Sequence, residues 1–167
     1  MKNIILIGLP GAGKSTLGVI LAKTLGMRFI DTDIRIQERC GMLLQEIIDR
    51  RGTEGFLGIE EETILSLNED QAVIATGGSV VYSSRAMDHL KAGGTVVYLV
   101  LSYPEMVRRL QNIRTRGVVL ARGQSLREMY DQRIPLYEAY ADIRVQIRSG
   151  RLEDAVTRIA DITRKSG

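Results

Sequence analysis

The sequence predicts a three-layer α/β sandwich built around a five-stranded parallel sheet. Short aliphatic runs alternate with helical stripes from one end of the chain to the other, which is the pattern of βαβ units with right-handed crossovers. The length, 167 residues, is that of one core, and no repeat, linker or composition break divides it, so residues 1–167 form a single domain.

Residues 3–7 (NIILI) are a short aliphatic run ending at Gly8, which reads as a buried strand. Residues 14–25 place Leu17, Ile20, Leu21 and Leu25 on one helical stripe, and Gly26 stands where a helix C-terminus favours it. Residues 28–30 form a brief second strand that leads into Asp31-Thr32-Asp33. Helices follow over 34–38, 44–51 and 56–67, with Thr53 as N-cap of the last. Residues 72–76 are the third strand, stopping at Gly77-Gly78, and 84–91 are helical up to Gly93-Gly94. Residues 95–101 (TVVYLVL) are the clearest buried strand, and Ser102 caps a helix over 104–112. A loop over 114–124 precedes a helix at 126–140, kinked at Pro135. The chain closes with a fifth strand at 143–147 and a helix at 152–164 that carries Glu153 and Asp154 in its favourable first turn.

Composition narrows the class of protein. Hydrophobic residues make up 44% and charged residues 26%, which excludes disordered and low-complexity chains. A lone Cys40, no apolar run of membrane-spanning length and an N-terminal apolar block of only four residues predict a soluble cytoplasmic protein. The net charge of +3 is concentrated. Residues 108–133 hold seven arginines against two acids, so the remainder is net negative. That patch suits a compact polyanion such as a nucleotide better than a nucleic acid, and neither a nucleic-acid nor a membrane partner is expected. His89, with no metal-spaced partner, is expected to be an ordinary surface histidine, and Cys40 a packing residue. Tyr137 and Tyr140, one turn apart, read as packing residues beside Arg133.

In parallel sheets the ligand sits beyond the carboxyl ends of the strands, so the residues after each strand carry the chemistry. After the first, Gly8-Leu9-Pro10-Gly11-Ala12-Gly13-Lys14-Ser15 matches G-x-x-x-x-G-K-[ST]. Such a loop wraps a phosphate with main-chain N–H groups at a helix N-terminus, Lys14 reaches the β and γ phosphates, and the Ser15 hydroxyl is a hard ligand for Mg²⁺. Gly11, Ala12, Gly13, Lys14, Ser15 and Thr16 are thus nucleotide-site candidates. No Asn-Lys-x-Asp guanine signature is present, and Asp49-Arg50-Arg51-Gly52 matches D-x-x-G only at a helix end. The third strand ends in Thr76-Gly77-Gly78-Ser79 rather than an acid, so Asp31 and Asp33 are the nearest carboxylates to the metal and the transferring phosphate. In extended backbone both point the same way, one serving the metal through water and the other receiving a hydroxyl proton. Read without the loop, Asp33 is a helix cap.

These residues resemble the shikimate kinase family, small ATP-dependent kinases with the P-loop, nucleoside-monophosphate-kinase-like fold that serve aromatic amino-acid biosynthesis. The likeness covers nearly the whole chain and rests on the Gly8–Ser15 loop, Phe29-Ile30-Asp31-Thr32-Asp33, Phe56 with Glu60, Ala75-Thr76-Gly77-Gly78, and Arg133-Ile134-Pro135-Leu136-Tyr137, which matches R-x-P-x-Y. The resemblance implies strand order 2-3-1-4-5, a substrate-binding subdomain at about 33–60, a lid at about 112–125, and a monomer. It also implies transfer of the ATP γ-phosphoryl group to the 3-hydroxyl of shikimate. Carried over by position, Lys14 and Ser15 serve the phosphates and Mg²⁺, and Asp31 supports the metal through water. Asp33 binds the acceptor's hydroxyls, while Gly77, Gly78 and Ser79 line its pocket. Arg116 neutralises the transferring phosphoryl group, Arg109 stacks on adenine, and Arg133 pairs with the acceptor's carboxylate.

The chain departs from the family pattern at three places. Phe56-Leu57-Gly58-Ile59-Glu60 has leucine where F-R-x-x-E has the second carboxylate-binding arginine, with Arg51 the nearby candidate replacement. Arg116-Gly117-Val118-Val119 stands for R-P-L-L in the lid, and Ser79 replaces a third pocket glycine. The ATP half of the site is therefore expected intact and the acid half altered. A kinase for another small polyol or hydroxy acid, such as a gluconate-like sugar acid, and a nucleotide-binding homologue without phosphotransfer are the alternative readings.

Overall fold

In the computed structural model, residues 1–111, 118–148 and 150–165 are described. Five strands, β1 (Asn3–Gly8), β2 (Arg28–Asp31), β3 (Ala72–Ala75), β4 (Gly94–Val100) and β5 (Ile143–Gln146), form one sheet in the order β2-β3-β1-β4-β5, every pair parallel. β1 is buried at every position because it is the central strand with helices over both faces. At its start Asn3 ties strands to loops, donating to the Glu69 carbonyl and accepting from the Ala72 amide.

The helices are α1 (Lys14–Leu25), α2 (Thr32–Cys40), α3 (Leu44–Leu65), α4 (Ser84–Gly93), α5 (Tyr103–Gln111), α6 (Leu126–Tyr140) and α7 (Leu152–Lys165), with one 3-10 turn at Val80–Tyr82 that the sequence pattern did not predict. α1 packs on α7, while α3, α4 and α6 gather around the 3-10 turn. Ser102 and Ser125 sit at the starts of α5 and α6 and accept from Glu105 and Glu128 amides, and Gly26 ends α1 in the left-handed region. The predicted loop is irregular over 118–124, and the predicted end of α5 at Asn112 lies outside the described residues.

Three local expectations need correction. Ile20 is exposed, because α1 turns Leu17, Gly18, Leu21 and Ala22 toward the sheet. Gly18 belongs to that stripe since a Cβ there would come 2.7 Å from the Phe29 ring. The two helices expected over 44–67 are present and meet at a kink at Gly52 (φ 71°, ψ 175°), but the Thr53 hydroxyl, expected as the cap of the second, donates to the Leu120 carbonyl. His89 is half-buried rather than superficial, its Nε2 2.8 Å from the Leu67 carbonyl.

The main core lies on both faces of the sheet. A second, smaller cluster of Ile36, Ile47, Phe56 and Val119 joins α2 and α3 to the segment before α6 and includes half-buried Leu57 at its margin. This cluster walls one side of the cleft described next.

Candidate active site

The carboxyl ends of β1, β2 and β3 open into one cavity of about 410 Å³. Pro10, Gly11, Gly13, Lys14 and Ser15 line one end, Asp31 and Asp33 the middle, and Gly77, Gly78, Ser79 and Arg133 the other. The phosphate-loop residues and the acceptor-side residues predicted from the sequence thus meet across a single cleft.

At the loop, Gly11 (φ 83°) and Gly13 (φ 86°) adopt left-handed backbone, which turns successive amides inward ahead of the α1 N-terminus. Lys14 is buried, and its ammonium donates to the Gly8 and Leu9 carbonyls at 2.8 Å each, which holds it along the cavity wall. Thr16 is exposed beside the loop and Ala12 is buried under it. Arg109 braces the loop from α5, with Nη1 2.9 Å from the Gly11 carbonyl and Nε 2.9 Å from Glu105. The same arginine lines a second cavity of about 270 Å³ behind the loop, together with Arg148, Gly150 and Arg151.

Ser15 donates to Asp31 Oδ2 at 2.6 Å, and Asp31 Oδ1 accepts from the amides of Asp33 and Ile34. Asp31, not Asp33, is therefore the N-cap of α2. The expectation that both carboxylates alternate along extended backbone is corrected: Thr32 already begins the helix, so Asp33 reaches the cavity from its first turn. Among the described residues no group of three or more His, Cys, Asp or Glu side chains is placed to hold a metal by itself. A hydroxyl and a carboxylate in contact are a hard-oxygen pair suited to Mg²⁺ with phosphate oxygens completing the shell.

Gly77 and Gly78 let the far end of the cavity close up. A Cβ on Gly77 would sit 2.8 Å from both Asp33 Oδ1 and Glu60 Oε2, and one on Gly78 would sit 2.9 Å from Arg133 Nη1 and 3.0 Å from Pro10. Arg133 is 1% exposed. Its Nε donates to the Tyr82 hydroxyl at 3.1 Å, its Nη2 donates to the Val119 carbonyl, and its guanidinium lies over the Tyr82 ring. Tyr137 is fully buried, stacks on Tyr98 and donates to the Gly78 carbonyl at 2.6 Å.

Glu60, absent from the site residues chosen from the sequence, is buried against this cluster. Ser79 donates to its Oε1 at 2.8 Å, and burial pushes its carboxyl up to about 8, with the Asp33 charge adding and the Ser79 bond, Arg133 and Lys14 opposing. Helical spacing from Phe56 was the available signal, since Phe56, Glu60, Thr63 and Ile64 form the buried stripe of α3. Leu57 does not line the cavity, and neither does Arg51, which is exposed, so the suggested replacement arginine is not found there. Lys14 and Arg133 are the basic side chains among the described residues that line it. Arg116 and Gly117 lie outside the described residues, while Val118 and Val119 line the cavity. No described helix is long and apolar enough to cross a membrane.

A family model described as shikimate kinase matches residues 10–163. Shikimate kinase of Histophilus somni is 41% identical over 146 residues, covering 85% of this chain and 83% of its own. That of Methylococcus capsulatus is 37% identical over 169 residues, covering 99% and 94%. The structure of shikimate kinase from Acinetobacter baumannii in complex with shikimate superposes with a TM-score of 0.91 at 30% identity, over 99% of this chain and 94% of that one. The enzyme from Aquifex aeolicus gives 0.83 at 27% identity, over 98% and 97%. With its sheet order, its phosphate loop and the likeness running almost end to end, the chain belongs to the shikimate kinase family of ATP-dependent phosphotransferases.

Proposed function

We propose that this chain transfers the γ-phosphoryl group of ATP to the 3-hydroxyl of shikimate, with the residues of the cavity in the following roles. The observation that carries the reading is the single cavity lined by Lys14 and Ser15 at one end and by Asp33, Gly77 and Arg133 at the other. Phosphoryl transfer asks a protein mainly to align two oxygens about one phosphorus and neutralise charge, so shared walls matter more than any one group.

The main-chain amides of Gly11 to Ser15 and the Lys14 ammonium hold the nucleotide's phosphates. Ser15 and Asp31, in contact through the Ser15 hydroxyl, would hold Mg²⁺. When bound, Mg²⁺ supplies charge neutralisation on the β and γ phosphates. Asp33 accepts a hydrogen bond from the attacking hydroxyl and receives its proton as the oxygen–phosphorus bond forms. The planar fork of Arg133 pairs with the acceptor's carboxylate, with Gly77, Gly78 and Ser79 forming the floor. Arg109 meets the adenine in the cavity behind the loop, and Arg116 neutralises the transferring group. Residues at about 33–60 act as the acceptor-binding subdomain and those at about 112–125 as a lid that shuts out water.

Leu57 leaves the acceptor's acid group with one arginine, and the rest of its ring meets an apolar wall of Ile34, Leu43, Phe56, Val118 and Val119. Purified protein in a coupled ADP-release assay tests the whole reading. Shikimate-dependent turnover at millimolar acceptor is the expected result; turnover only with other sugar acids in a substrate panel rejects shikimate as the acceptor. ATP binding by calorimetry without turnover on any acceptor rejects catalysis.

A further inference from the structure

We propose that Ser79 and Glu60 form a positioning pair for Asp33, with Glu60 held as a neutral carboxylic acid whose Oε2 proton is kept beside the Asp33 carboxylate. This rests on the reading of Asp33 as the group that receives the acceptor's hydroxyl.

Three observations lead there. Glu60 is 2% exposed, and its two oxygens differ: Oε1 accepts from the Ser79 hydroxyl, while Oε2 is shut away from solvent with no hydrogen-bond partner. The orphaned oxygen also has a specific place. The Cβ that Gly77 lacks would touch Glu60 Oε2 and Asp33 Oδ1 at the same 2.8 Å, so both oxygens border one small space at the end of β3. Finally, the surroundings disfavour a second negative charge. The groups that act on Glu60 are Ser79 from the turn after β3, Asp33 from α2, Arg133 from α6 and Lys14 from α1, and burial outweighs the two cations.

An ionised Glu60 would leave a buried lone pair facing another carboxylate. A protonated one resolves this without moving an atom: Oε1 becomes the carbonyl that takes the Ser79 bond, and Oε2 becomes a hydroxyl donor directed into the space shared with Asp33. A carboxyl group rotates freely about its last torsion unless something holds it. Ser79, standing where the family resemblance expects a third glycine, supplies that hold through its hydroxyl. The donor in turn fixes which way the Asp33 carboxylate is turned, and with it the oxygen that meets the acceptor's hydroxyl. Glu60 and Ser79 act through Asp33 and are positioning residues.

Steady-state kinetics with S79A, E60A and E60Q enzymes test the pair. S79A and E60A are expected to lower kcat about tenfold while the KM for ATP stays within about twofold. E60Q, whose amide N–H stands where the Oε2 proton stood, is expected to recover kcat to within about twofold of wild type while E60A does not. Infrared difference spectra of wild type against E60Q are expected to show a protonated-carboxyl band at neutral pH. Absence of that band, an unchanged kcat in S79A, or an E60Q enzyme as impaired as E60A overturns the proposal. A D33N enzyme with wild-type turnover overturns the reading of Asp33 itself, and the infrared band, which reports Glu60 alone, tells the two failures apart.

Discussion

Replacing Arg133 with methionine removes the positive charge while keeping much of the side chain's length. Three edges of the guanidinium are committed in the fold: Nε to the Tyr82 hydroxyl, Nη2 to the Val119 carbonyl, and Nη1 against Gly78 at the cavity floor. The first braces the 3-10 turn and the second the segment before α6; the third borders the cavity floor, where the acceptor is proposed to sit. A hydrogen bond to a charged partner contributes about 1.5–3 kcal/mol, which corresponds to a rise of about 10- to 100-fold in the KM for shikimate. Leaving the Val119 carbonyl without its donor costs a further ~1–3 kcal/mol of stability, or several degrees of Tm for a domain of this size, partly offset because a buried charge is also removed. The KM for ATP should stay within about twofold, because the groups Arg133 bonds to, the Tyr82 hydroxyl and the Val119 carbonyl, belong to the 3-10 turn and the segment before α6 rather than to the phosphate loop. R133K should recover little, since an ammonium cannot reproduce the planar fork. Initial rates with shikimate varied at saturating ATP, beside a thermal melt of each variant, measure both effects. A lowered Tm with an unchanged shikimate KM would show that Arg133 is a brace only and refute its pairing with the acceptor.

The other outcomes follow from the same geometry. K14M should keep the fold but lose about 10²- to 10³-fold in kcat, as removal of one preorganised donor does, and single-turnover rates check it. G77A should lose most acceptor turnover, because its Cβ would stand 2.8 Å from the oxygens of both Asp33 and Glu60; ATP affinity by calorimetry should hardly change. L57R should lower the shikimate KM, by about tenfold if the new guanidinium reaches the carboxylate, and a KM that does not fall shows that the wall around Phe56 does not admit it. Glu60 links stability to pH. Its folded value, about 8 against 4.5 for an unperturbed carboxyl, means the folded state binds the proton more tightly. Stability from this group is therefore complete below pH 4.5 and is lost as pH rises toward about 8. Melts of E60Q across that window should lack this fall.

How far the sequence revealed the molecule depended on whether a residue's role was local. α1 begins at Lys14 and ends at Leu25 as its pattern predicts, because the phosphate loop sets its start and Gly26 its end within the chain itself. Strands β1 and β4 were readable because burial on both faces leaves no choice but aliphatic side chains. Asp31 and Asp33 were found as a pair but with the wrong geometry: the cap that seemed to belong to Asp33 is made by Asp31, since the helix starts two residues earlier than the strand pattern suggests.

Glu60 shows where local reading ends. It opens a run of three glutamates, and although the resemblance paired it with Phe56, charge composition alone treats all three as solvated. In the fold, Glu62 pairs with Arg39 at the surface, Glu61 accepts from Ser83 and Arg85, and Glu60 alone turns inward. The stripe through Phe56, Thr63 and Ile64 includes position 60, so its direction was legible. Its partners were not, because Ser79, Asp33 and Arg133 come from three other elements that only the order of the sheet brings together. A buried acid on an apolar stripe is therefore a signal to read as one would a gap in the pattern: the fold must supply a reason for it, and here the reason stands at the carboxyl ends of the strands, where the chemistry is.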